Sequence, residues 1–571
     1  MNSRTTRLLL PMLTLCACEA SIRTPVGPGE LPNDDPEAPV SLVAPTLCPT
    51  PTLPAATVQL RLTRSQYLNA IAALLPASTV AAASAELAAV PQSRAGLFSS
   101  QQAEVTPSEV ETYHAAAFKL AFELADHSAQ LAALEPCLGT APIGTACVQG
   151  FLSRFGRRAF RRPMSSADLQ HLNRAFQLGA GTSPQEGIGA VVYTVLTDFE
   201  FLHRVEHSGT RAAGMGEVFV LTDHELASRL AFALWDAPPD DALLDAADVG
   251  LGGPALAAQV DRLLSHPKAR ATIARFYTEW LGVTASPVVP AYLKAQDPAA
   301  LGDAMRRELE AFVTRVTLDE QGSYRDLMTR PTVLVDEPQL AALYGLPPSA
   351  LGQVVTLPAS ERAGVLTRAG WLATAAVKSS NAGHLIKRGA HFAQVLCRPL
   401  PPPDPNLFPP QNPADPSTAP GMTIRERFGA LTAQAQCSGC HVRLDSWGGA
   451  FGRYGSAGQH LDAEVVFDDA FAPVQSLGID ATAIADLDQA REPRVDGALE
   501  LSARLGDSLS GPQCLAKQLS THFSGRSYSS ADGCWAEQAF KALQHGSLRS
   551  AITALLTAPE LKLKAHAGVQ P

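Results

Sequence analysis

Aromatic residues are scarce, at 6% of the chain, and strand-like alternation is scarcer still. Alanine and leucine dominate instead, which favours helix over strand. Long apolar runs are missing: beyond the first residues, none approaches the ~20 uninterrupted apolar residues that a membrane-spanning helix needs. Charge of one sign is not in excess. The net charge of −10 is mild for 571 residues and argues against a dedicated nucleic-acid binder, which needs a basic surface. GxSxG, P-loop, GxGxxG and HExxH patterns are absent, so hydrolases and nucleotide binders of those types are not indicated. Methionine runs out after Met422. What the chain does have is 46% hydrophobic residues, enough for several cores, and a length that suggests about three to four folding units.

The N-terminus reads MNSRTTRLLLPMLTLCACEA. Arg4 and Arg7 form a positive flank, and Leu8 to Leu15 form an apolar stretch too short to span a bilayer. Leu15-Cys16-Ala17-Cys18 has the pattern of a bacterial lipobox, with Cys18 as the lipidated residue. An ordinary cleaved secretory signal is the alternative, and either one exports the protein. The expectation is an exported, outer-membrane-anchored lipoprotein on the periplasmic or cell-surface face, held to the membrane by its lipid.

Of the ten cysteines, Cys16 and Cys18 belong to this leader and Cys437 and Cys440 to a motif described below. Six remain, an even number that suggests disulfides in an oxidising compartment and allows 15 pairings. Proximity favours Cys137–Cys147 and Cys514–Cys534, which leaves Cys48–Cys397 by elimination.

Helix starts recur. Thr106-Pro107-Ser108-Glu109, Ser183-Pro184-Gln185-Glu186, Thr222-Asp223-His224-Glu225 and Thr423-Ile424-Arg425-Glu426 each place a hydroxyl at the cap and a carboxylate three residues on. Only Val354 to Leu357 and Val465 to Phe467 suggest short strands. The fold class expected is mainly α: consecutive helical bundle domains, with a small cytochrome c-like helical region near the C-terminus. The expected organisation begins with a signal peptide over 1–18 and a flexible tether over 19–55. Helical domains follow over 56–136, 137–210 and 218–345, with a Gly-containing joint over 207–218. A haem-type domain spans 355–465 with a Pro-rich strap over 399–421, and a last helical domain covers 490–565.

The motif is Cys437-Ser438-Gly439-Cys440-His441, the attachment pattern of a c-type haem. Two thiols add across the two vinyl groups of the macrocycle, and the adjacent histidine faces the iron. The expected cofactor is one covalent haem c, held by Cys437 and Cys440, with His441 as proximal ligand. A thioredoxin-like pair would want a βαβ context. A zinc site would need a fourth ligand, and a disulfide across two residues is strained. For the sixth ligand the candidates are Met422, His460, His391, His384 and His522. His384 and His391 are seven residues apart, compatible with one helix face. Arg157, Arg158, Arg161 and Arg162 around Phe160 read either as a basic patch or as paired structural arginines. Arg204, Glu206, Asp240 and Asp241 read as ion pairs and caps.

The order of segments resembles multidomain exported proteins of planctomycetes and myxobacteria, in which planctomycete-surface-type domains flank one planctomycete-cytochrome-C-type domain. The resemblance covers most of residues 58–563. LTRSQYLNAIAALL resembles the first block; FLSRFGRRAFRRPMSSADL and LTDFEFLHRVE, the second. LTDHELASRLAFALWDAPPDDALL and ARFYTEWLG resemble the third. RAGVLTRAGWL, IKRGAHFAQVLCRPLPPP and RERFGALTAQAQCSGCHVRLDSWG resemble the cytochrome-type block, and DGALELSARLGDSLSGPQCLAKQLSTHFSGR the terminal one. The resemblance implies haem attachment at Cys437 and Cys440 with His441 as ligand, and it extends to Asp445 and Gly448. It departs at Ser446, where the family commonly has Pro, and at Gly452, Arg453, Tyr454 and Gly455, where the family has an acidic, Asn-containing stretch. The family's activity is largely uncharacterised. The function expected is an envelope electron-transfer or redox module with an unknown redox or envelope partner. The alternatives are a surface scaffold or polymer-binding protein in which haem is structural or absent, and a haem peroxidase or oxidase.

Overall fold

Hydroxyl caps set the helix starts. In the computed structural model Thr106 accepts the Glu109 amide while the Glu109 carboxylate accepts the Thr106 amide, with Pro107 at the first helical position. The same reciprocal box opens helices at Thr63, Ser165, Thr222 and Thr423. Each satisfies amides that a helix leaves without partners. Ser183 makes only half of it, accepting the Glu186 amide.

The structure describes residues 47–48, 60–77, 80–81, 87 and 106–565, except 207–208, 216, 374–379, 401–420, 434, 469 and 489–492. The leader with Cys18, nearly all of the tether and nearly all of the Pro-rich strap lie outside these. The described residues belong to one unit, Pro45–Pro571. The main helices are α1 (Arg64–Leu74), α2 (Pro107–Ala125), α3 (Thr145–Phe160), α4 (Ser166–Ala180), α5 (Pro184–Thr197), α6 (Asp223–Trp235), α7 (Gly253–Ser265), α8 (Pro267–Trp280), α9 (Pro298–Thr314), α10 (Leu385–Val395), α11 (Ile424–Thr432), α12 (Ala435–Gly449), α13 (Gly497–Gly506), α14 (Ser510–Ser524), α15 (Gly533–His545) and α16 (Leu548–Thr557). The protein is mainly α, with small antiparallel sheets. No helix among the described residues is long and apolar enough to cross a membrane.

Helices α1 to α5 share a core built on Tyr67, Leu120, Phe151, Val191 and Phe201. The joint after α5 is more ordered than its glycines suggest. Leu60–Arg61 pairs with His203–Arg204, and Val218–Val220 lies between Thr210–Arg211 and the C-terminal strand Leu563–Ala565. Buried Arg229 of α6 forks onto Glu206 and also donates to the carbonyls of Leu561 and Leu563, so the chain's end seals this joint. The expected strands appear as Val354–Thr356 and Glu464–Phe467.

The arginines around Phe160 are structural. Arg157 pairs with Asp245 and Asp248, Arg158 with Asp241, and Arg162 with Asp168. Arg161 is buried and donates to the carbonyls of Glu200, Phe201 and His203. Asp240 caps the helix at Asp241–Val249 and pairs with Arg262.

Of the disulfides expected from proximity, Cys137–Cys147 is present. The other two differ: Cys514 joins Cys397, and Cys534 joins Cys48. The reason is three-dimensional. Cys514 lies on the buried face of α14, beside the turn that ends α10, whereas Cys534 opens α15 where the 47–48 segment docks, the Leu47 amide donating to Glu537 at 2.8 Å.

Candidate functional site

The CSGCH motif lies in the N-terminal half of α12. The preceding α11 is fixed first. Its Ile424 amide donates to Glu464 at 2.9 Å, its Arg427 pairs with the same buried carboxylate, and its Arg425 donates to the Thr482 carbonyl at 2.6 Å. Burial pushes the Glu464 carboxyl up despite the Ile424 amide and the Arg427 charge.

Helical spacing puts Cys437, Cys440, His441, Leu444, Asp445 and Gly448 on one stripe of α12. The C-terminal half of that helix is clamped. Trp447 is buried, donates to the Ala485 carbonyl at 3.1 Å and meets Phe392 of α10 edge-on at 5.7 Å. The Ile484 amide donates to Ser446 at 2.7 Å. Two glycines let α10 and α12 touch backbone to backbone: a Cβ on Gly389 would stand 2.1 Å from the Leu444 carbonyl oxygen, and one on Gly448 2.1 Å from that of Leu385. The N-terminal half is open, with Cys440 exposed, Cys437 half-buried and Val442 68% exposed.

Six of the described cysteines are in disulfides; Cys437 and Cys440 are free. His441 is half-buried, and its Nδ1 lies 3.0 Å from an Asp445 carboxylate oxygen. The other oxygen of Asp445 accepts from Thr432, the last residue of α11. With Nδ1 so engaged, Nε2 is the ring nitrogen left for another partner. Two unpaired thiols about one helical turn apart, beside a histidine that presents Nε2, are the donor set a c-type haem requires. Among the described residues no group of three or more His, Cys, Asp or Glu side chains forms a metal cluster.

The candidate sixth ligands are not brought to His441, whose one polar partner among the described residues is Asp445. Met422 precedes the cap of α11, about 12 Å of helix from Thr432. His384 caps α10 and tilts over Phe428 at 5.3 Å between ring centres. Burial, with the Lys387 and Arg388 charges, pushes its pKa down to about 4. His391 follows Gly389 by two residues, about 200° around the helix. It therefore faces away from α12, meeting Trp371 edge-on and lying 3.6 Å from the Cβ position of Gly282. His460 packs edge-on against Tyr454, beyond the far end of α12. His522 is half-buried in α14, its ring edge-on to Phe276.

The segment that departs from the family pattern has a structural role here. Buried Arg388 of α10 donates to the carbonyls of Leu372, Phe451, Tyr454 and Gly455, pinning the turn that follows α12. Arg388 was not singled out by sequence, because its acceptors are backbone atoms distant along the chain. Asp445 was legible only as a position shared with the family; the i,i+4 spacing from His441 was the local signal for its role.

A concavity of about 190 Å³ lies at the joint, lined by Arg162, Glu200, His224 and Glu225 among others. Its charged groups are engaged locally: Arg162 with Asp168, His224 with Asp248, Glu225 in its capping box.

Three family models match the chain. Residues 147–206 match PSD5, a protein of unknown function (DUF1595); residues 221–346 match PSD4 (DUF1592); and residues 362–464, which contain the CSGCH helix, match PSCyt3 (DUF1588). The chain is a multidomain protein of the planctomycete-surface and cytochrome type. No curated protein and no solved structure matches it. The PSCyt3 segment runs from Arg362, whose guanidinium donates to the Gly458 carbonyl, to Glu464, which anchors α11.

Proposed function

We propose that the PSCyt3 segment carries one covalent haem c and that the protein is an electron-transfer module of the cell envelope. It would be exported and tethered to the outer membrane through lipidated Cys18, and it would serve a redox partner whose identity is open. The observation that carries this reading is the pair of free thiols, Cys437 and Cys440, beside His441 in a protein whose other described cysteines are all bonded. Haem supplies a one-electron iron couple when bound. The chain's own residues do the rest: Cys437 and Cys440 hold the macrocycle, His441 offers Nε2, and the clamped half of α12 keeps the stripe rigid. The open N-terminal half leaves a macrocycle edge accessible to a partner.

One observation favours a second reading, a haem peroxidase or oxidase: among the described residues no histidine or methionine lies against His441. An iron without a sixth protein ligand could bind a small oxidant.

Expression with a cytochrome c maturation system decides the matter. The expected result is a pyridine haemochrome spectrum of haem bound through two thioethers, lost in C437S/C440S. A wild-type protein without covalent haem overturns both readings. Peroxide turnover by the loaded protein would favour the second over the first.

A further inference from the structure

Resting on the haem reading above, we propose that Asp445 is a positioning residue that sets the electronic character of His441, and that Thr432 holds Asp445 in that role. Three groups from two helices line up. Thr432 ends α11, Asp445 and His441 lie one turn apart on α12, and the contacts run hydroxyl to carboxylate to imidazole Nδ1.

The Thr432 hydroxyl has one proton and two acceptors in reach, the Phe428 carbonyl at 2.8 Å and the Asp445 carboxylate at 2.5 Å. A bond to an ionised oxygen is the stronger of the two, so the proton belongs to Asp445. This leaves the other carboxylate oxygen to accept from His441 Nδ1–H. The tautomer is thereby fixed with Nε2 unprotonated. Asp445 and His441 are each only about a fifth exposed, with side-chain values of 21% and 22%, so water competes weakly for either atom.

A carboxylate on Nδ1–H pulls that proton and raises electron density at Nε2, as outer-shell carboxylates do for metal-bound histidines. It also adds a negative charge close to the iron site. Both effects stabilise the ferric over the ferrous state. A structural role for Asp445, merely joining α11 to α12, would not do so.

The test uses the full chain, matured with haem. In D445N the midpoint potential should rise by about tenfold in the ferric-to-ferrous ratio, about 59 mV for one electron. The iron–histidine stretching band of the ferrous protein should move to lower frequency. D445E should recover part of the change, and T432V should shift the potential the same way by a smaller amount. Loaded variants with an unmoved potential and band overturn the proposal. If D445N fails to load, T432V decides it, since that change leaves every charge in place. Wild-type protein that takes up no haem defeats the haem reading itself, a different outcome from loaded protein indifferent to Asp445.

Discussion

His522 is enclosed in α14 against Phe276, and burial with the Arg275 charge pushes its pKa down to about 3. The neutral ring is therefore kept in the folded state while the unfolded chain protonates near 6.5. Unfolded protein binds more protons across this window, so stability is complete above about pH 6.5 and falls as pH drops towards 3. At pH 4.5 the expected loss from this residue is on the order of 2–3 kcal/mol. His522→Leu should reduce the stability difference between pH 7.5 and 4.5 by that amount, as measured by urea unfolding at both values; an unchanged difference would refute the assignment. Legibility at this scale follows distance along the chain. Thr106, Thr222 and Thr423 were readable as caps because their partners sit three residues on. Cys514 was misread because its partner is 117 residues away, in a part of the chain that only tertiary packing brings near.

The crossing of α10 and α12 is the element on which the motif rests. Its close approach depends on Gly389 and Gly448, where an added methyl would meet backbone oxygen rather than a movable side chain. Gly389→Ala and Gly448→Ala should each destabilise by about 1–3 kcal/mol through overpacking. On the proposed haem reading, loading should fall with them, since α12 loses its clamp. Gly429→Ala, on an exposed position of α11 with open space around it, should instead stabilise by up to about 1 kcal/mol. Thermal unfolding of the three variants checks the contrast. At this scale the sequence was informative where periodicity and caps agree: the short strands at Val354 and Val465 and the helices that start after Thr106, Ser183, Thr222 and Thr423 were foreseen. The joint was not, because the strand that completes its sheet, Leu563–Ala565, comes from the other end of the protein.

Across the whole molecule, two long-range disulfides bind distant parts of the chain. Cys48–Cys534 spans 486 residues and Cys397–Cys514 spans 117, whereas Cys137–Cys147 closes only 10. By loop-closure entropy, removing Cys397–Cys514 should cost about 5 kcal/mol and removing Cys137–Cys147 about 3 kcal/mol. Denaturant titrations of the paired serine variants measure both. Peptide mapping without reduction should recover the three pairs named here. A Cys514–Cys534 peptide as the main species would contradict the structure. The mainly helical class was legible from composition and caps, and the motif from five consecutive residues. The placement of the sixth-ligand candidates was not, since which face of α10 His391 occupies depends on how Gly389 meets Leu444.

The span of the Cys48–Cys534 bond has a consequence for biogenesis. A polypeptide oxidised in order of emergence would join Cys48 to Cys137, its nearest follower, and strand Cys147. The native pattern requires Cys48 to wait for almost the entire chain, or a first, wrong bond to be reopened by thiol exchange. During that delay Cys437 and Cys440 emerge between Cys397 and its partner Cys514, as eligible competitors for either. If haem is attached to those two thiols early, the attachment also removes two competitors from the pairing of the other six.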